Sequence, residues 1–120
     1  MPDEGYFGYV MPDVFEGFAV TDYGSDSRAA WIVLENGFGA AVYIDIGGNA
    51  KSILNADTED ADYIEQISIH GYPGLLVGKN DTVHIVWGDT DRNKYVSVMC
   101  INLDKDTAIA IANSIRPMDS

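Results

Sequence analysis

Among the residues able to do chemistry, the run at 89–93 has the most suggestive spacing. Asp89, Thr90, Asp91, Arg92 and Asn93 put side-chain oxygens at alternate positions, as hard cations such as calcium require. A helix-loop-helix calcium site also needs glycine at its sixth position and a bidentate glutamate at its twelfth. Lys94 and Cys100 stand there instead. A metal reading thus rests on Asp89, Asp91 and Asn93 alone, and a hairpin loop of turn-forming residues accounts for the same run. A second cluster, Asp57, Glu59, Asp60 and Asp62, is dense in carboxylates and suits a cation or a basic partner. A solvated loop is the simpler account of such a run. His70 and His84 fall on separate expected strands, outside any zinc-ligand spacing. No Gly-x-Ser-x-Gly nucleophile elbow and no Gly-x-x-x-x-Gly-Lys-Ser/Thr phosphate loop occurs. Cys100 is the sole cysteine and sits in an apolar run with no adjacent base, which marks a buried, inert thiol. Trp31 and Trp87, with seven tyrosines, suit a ligand groove or cross-strand core pairing. The candidate partner- or ligand-binding set is therefore Asp57, Glu59, Asp60, Asp62, Trp87 and Tyr95, with no catalytic residue, no metal and no cofactor expected.

Positioning these residues falls mainly to strands. Residues 14–20 suggest a short edge strand, since Pro12 before it cannot sit in a central ladder. Residues 24–27 read as a polar loop. Two apolar runs, 29–35 and 38–46, flank Asn36-Gly37, the strongest short hairpin signal, which predicts a type I′ turn. In the second run Val42, Ile44 and Ile46 share one face, and Tyr43 and Asp45 the other. Residues 50–61 are ambiguous, with Ile53 and Leu54 able to anchor one helical turn before the acidic loop. Residues 63–70 read as a strand with Ile67 and Ile69 on one face. Residues 71–74 read as a turn, and 75–78 with 82–87 as a hairpin. After a loop at 88–94, residues 95–101 form the last strand, paired with 82–87 in a meander of three. The period then changes. Asn102 or Asp104 caps a helix through Ile115, Ala108, Ile111, Ala112 and Ile115 fall on one stripe, and Pro117 stops it. The expected architecture is α+β: an antiparallel sheet of about five to seven strands with a C-terminal helix on one face.

The chain has 120 residues, 7 Lys+Arg against 19 Asp+Glu, and a net charge of −12. That length suits a single domain, 1–120, with its own core. A hydrophobic fraction of 47% argues against disorder, and the acid excess against nucleic acid or an anionic membrane as partner. No run of about 18 apolar residues spans a bilayer. The first residues lack the basic and apolar regions of a signal peptide, which leaves a cytoplasmic protein or a soluble domain excised from a larger one.

Several of these residues together resemble a known family. Ile67-Ser68-Ile69-His70-Gly71-Tyr72-Pro73-Gly74, then Val86-Trp87, then Tyr95-Val96-Ser97-Val98, lead to a helix ending Ile111-Ala112-Asn113-Ser114-Ile115. This order, over 63–116, resembles a bacterial domain of unknown function found mainly in Gram-positive species. In that group a strand enters a glycine turn, a tryptophan ends a strand and a tyrosine opens the next. Such domains form the extracytoplasmic C-terminal part of membrane-anchored proteins, some similar to anti-sigma factors. The resemblance implies a non-enzymatic binding or sensing module of the cell envelope, with an unknown protein or small ligand as partner. The acid excess supports an alternative: a small cytoplasmic inhibitor or immunity-type protein occupying a basic surface.

Overall fold

β-Branched residues alternating with polar or small ones build most of the molecule. The computed structural model describes residues 9–10, 17–25, 29–48 and 61–117. Along the chain these form β1 (Tyr9–Val10), β2 (Ala19–Ser25), β3 (Ala29–Glu35), β4 (Ala41–Gly47) and β5 (Tyr63–Ile69). They continue as β6 (Tyr72–Lys79), β7 (Thr82–Asp89), β8 (Lys94–Ile101), α1 (Lys105–Ser114) and β9 (Arg116–Pro117). Seven strands make one antiparallel sheet in the order β2-β3-β4-β8-β7-β6-β5. β1 and β9 pair separately. The architecture is the expected α+β, at the upper end of the expected strand number. β2 to β4 form one meander and β5 to β8 another, and β8 joins them by pairing with β4 from Ala41↔Ile101 to Gly47↔Tyr95.

The alternation expected in 38–46 is present: Val42, Ile44 and Ile46 are buried, while Tyr43 and Asp45 face the other way. Val96, Val98 and Cys100 of β8, Ile85 and Trp87 of β7 and Leu76 of β6 complete the same core layer. Fully burying such an aliphatic side chain contributes about 1.5–3 kcal/mol. α1 lies over β7 and β8 and buries Ala108, Ile111 and Ala112, with Ile115 buried at its C-cap. The alanines let the helix approach closely. Asp104 is the N-cap, its Oδ1 accepting from the Thr107 N–H at 2.7 Å, and this bond holds its carboxyl below the usual carboxylate range. Lys105 then pairs with Glu65 and stands 5.9 Å from the Tyr63 ring centroid, tying the helix start to β5.

The turns depart from expectation in instructive ways. The β3–β4 connection is five residues, 36–40, rather than a two-residue turn, and β4 begins at Ala41 rather than Phe38. Asn36 adopts no positive φ; its Oδ1 instead accepts from the N–H groups of Phe38 (2.8 Å) and Ala40 (3.1 Å). Residues 71–74 are not a turn. His70 and Gly71 turn the chain, and Tyr72, Pro73 and Gly74 belong to β6. Gly24 and Ser25 extend β2, and Gly88 and Asp89 extend β7, where loops were expected. The helix ends at Ser114, before Ile115, and Pro117 lies in β9. The expected edge strand is β2, displaced toward 25; residues 14–16 and 50–60 lie outside the described residues.

Candidate binding surface

Glycine and aromatic residues face each other across the sheet at five registers: Gly24↔Trp31, Gly47↔Tyr95, Gly88↔Tyr95, Gly78↔Tyr63 and Gly74↔Trp87. At Gly24, Gly47 and Gly78 the ring lies across the bare backbone opposite; a Cβ on Gly47 would stand 2.1 Å from the Tyr95 ring. This explains where two of the candidate residues lie. Tyr95 is half-buried over Gly47 on the face away from α1. Trp87 points to the helix side, is 1% exposed and serves the core, so it lines no surface groove.

Asp62 is exposed at the entry to β5, and its Oδ2 accepts from the Asn80 N–H at 2.8 Å, steadying the β6–β7 turn. Asp57, Glu59 and Asp60 lie outside the described residues. Asp62 and Tyr95 sit at opposite ends of the sheet, beside the 80–81 and 90–93 turns respectively. The set's described members, Asp62, Trp87 and Tyr95, are therefore not gathered into one place.

The 89–93 run is divided among protein partners. Asp89 is 1% exposed, and its two oxygens accept from the backbone N–H (3.1 Å) and guanidinium (3.2 Å) of Arg92. The Tyr72 hydroxyl donates to Asp91, and that bond, with partial burial and the Asp89 charge, pushes the phenol up to about 12. Asn93 supplies the positive φ, 52°, that closes the loop. The oxygens that alternate in sequence thus brace a hairpin. Among the described residues, no group of three or more His, Cys, Asp or Glu is placed to hold a metal ion. Cys100 is fully buried, and burial pushes its thiol up to about 12.

What the sequence reading did not assemble is the face opposite α1. One row across the strands runs Trp31, Asp45, Ser97, Val86, Leu75; the next runs Val33, Tyr43, Met99, His84, Val77, Ile64. Tyr43 and Met99 are exposed in its middle and Ile64 is 50% exposed at its margin. The opposed positions of Tyr43 and Asp45 were the one sequence signal for this face. His84 Nε2 and Ser97 Oγ are 2.7 Å apart at its centre, and burial raises the Asp45 carboxyl. A serine-hydrolase relay places histidine between serine and acid. Here β8 lies between β4 and β7, so Ser97 stands in the middle, with Asp45 on one side and His84 on the other. The order is wrong for that chemistry. A hollow of about 230 Å³ lies beside His84, between Val77, Thr82 and Met99.

The chain's fold is similar to one in a crystal structure of MucB in complex with MucA(peri), at a TM-score of 0.56 and 17% identity. The match covers 92% of this chain and 36% of the other, so this chain spans about a third of its neighbour's length. At that identity the likeness is one of fold. No curated protein matches the chain. Among the described residues, no helix is long and apolar enough to cross a membrane. A family model described as a domain of unknown function, DUF4367, matches residues 7–115, well beyond the half that carried the resemblance in sequence, and the chain belongs to that family.

Proposed function

We propose that the chain is a single non-enzymatic, protein-binding domain on the extracytoplasmic side of a bacterial cell-envelope protein. The observation that carries this reading is the face opposite α1, where Tyr43 and Met99 are exposed in the middle, the half-buried Trp31 lies toward one margin and the exposed Ile64 at the other. Aromatic residues and methionine are the types enriched in protein interfaces, while a catalytic site needs convergent polar groups in a cleft. The MucB fold, seen in complex with MucA(peri), supports a protein as the occupant. The test uses the protein made from its native gene in its own host. Protease applied to intact cells digests this domain, and a photocrosslinker at Tyr43 or Met99 captures a partner that one at Asn113, on the exposed side of α1, does not. Digestion only after lysis rejects the compartment, and equal capture from all three positions rejects the face.

The charge of −12 supports a second reading, a cytoplasmic inhibitor of a basic partner. Resistance to external protease, together with a cytosolic complex that dissociates in salt, would select it.

A further inference from the structure

The two margins of the sheet are built differently. In β2 the register slips between Val20 and Asp22, a bulge of the kind that blunts an edge strand against further pairing, and Asp22 adds an exposed charge. β5 pairs with β6 in unbroken register over its whole length and contains neither lysine nor proline. Its one charge, Glu65, is taken by Lys105. Among the described residues no strand pairs with its outer side.

The hairpin fixes which groups that outer side presents. His70 and Gly71, at φ 54° and 85°, have the signature of a two-residue type I′ turn. Such a turn makes Ile69 and Tyr72 a hydrogen-bonded pair, and bonding alternates from there. Ile67 and Glu65 therefore bond to β6, while the backbone N–H and C=O groups of Ile64, Gln66 and Ser68 face outward. On the same margin lies a groove of about 670 Å³, lined by Gln66, Ser68, Pro73 and Leu75 on the face away from α1.

We propose that β5 receives an extended segment of a partner protein as a further strand, with apolar side chains at alternate positions reaching the groove and Lys or Arg at the segment's ends. This rests on the protein-binding reading above and names the edge and the partner's chemistry. Main-chain bonds to Ile64, Gln66 and Ser68 supply affinity, and the groove selects side chains. The charge preference follows from 19 acidic against 7 basic residues, and from the run Asp57, Glu59, Asp60, Asp62 that leads directly into β5. The same charge of −12 on every copy opposes a second copy of this chain as occupant.

The probe is a synthetic strand-length peptide with lysine at each end and valine alternating with threonine between, titrated into the isotope-labelled chain and followed by amide NMR and hydrogen exchange. The expected result is protection of the Ile64, Gln66 and Ser68 amides. It is abolished when alternate peptide nitrogens are methylated, and weakened about tenfold when glutamate replaces the terminal lysines. Gln66→Pro removes an outward N–H and no bond to β6, so this variant melts like the parent and binds the peptide about tenfold more weakly. Ser68→Lys weakens binding in the same direction. Protection centred on β2 or α1, equal binding of the methylated peptide, or concentration-dependent protection of β5 without peptide would each overturn the proposal, the last by making a second copy the occupant. A domain digested on intact cells whose β5 ignores the peptide keeps the module and loses this edge, so the two failures are distinguishable.

Discussion

The two faces of the sheet are made by the same strands and obey different rules. Toward α1, Ile44, Leu76, Ile85 and Val98 form a dry layer, and Asp89 is the one buried charged residue among those described, neutralised by Arg92. Away from α1, polar side chains stand among apolar ones: Asp45 beside Trp31, and His84 and Ser97 beside Met99. A buried polar group is costly unless it is paired, so the first face admits almost none. The second holds Asp45, whose carboxyl partial burial raises, and His84 within hydrogen-bond distance of Ser97.

The contrast can be broken by substitution. Trp87→Ala empties the largest site on the covered face and should cost about 3–5 kcal/mol in chemical denaturation; a small loss would show that this face is not the stabilising one. Gly74→Ala should come next, at about 1–3 kcal/mol, because its Cβ would stand 2.8 Å from the Val86 carbonyl oxygen, which belongs to rigid backbone. Gly78→Ala should cost less, since the obstacle there is the exposed ring of Tyr63, which can swing aside. On the open face, Tyr43→Ser should change stability by under about 1 kcal/mol and yet reduce partner capture; a larger destabilisation would make Tyr43 a core residue.

The smallest effect concerns pH. Burial raises the Asp45 carboxyl in the folded state above its ordinary value of 3.8. Its contribution to stability is therefore complete below that value, where both states are protonated, and is lost as pH rises through the folded pKa. Asp45→Asn should raise the melting temperature slightly at about pH 7 and leave it unchanged at about pH 3. A gain at both pH values would assign the effect to packing rather than charge.

Periodic segments were legible in the sequence. The alternation at Val42, Ile44 and Ile46 and the stripe at Ala108, Ile111 and Ala112 identified the two sides of the core interface. Turn chemistry misled at Tyr72, Pro73 and Gly74. Pro73 is opposite Ser68 at a non-bonded register, so its missing N–H is not needed toward β5, and pairing with β7 begins only at Gly74. Asn36 misled in a different way: its side chain, not a left-handed backbone, closes the β3–β4 connection. The open face was hidden because its members come from six strands, and only cross-strand register brings Trp31, Asp45, Ser97, Leu75 and Ile64 onto one surface. Asp62 and Tyr95 were chosen by residue type, and the sheet separates them.

The glycine–aromatic registers bear on how this family can vary. Where a ring fills the place of a neighbour's missing Cβ, the two positions are inherited as one character. A side chain at 47 becomes admissible only after the ring at 95 has shrunk or turned away, and the same holds for 24 with 31 and 78 with 63. Lineages of the domain should therefore change these sites in pairs.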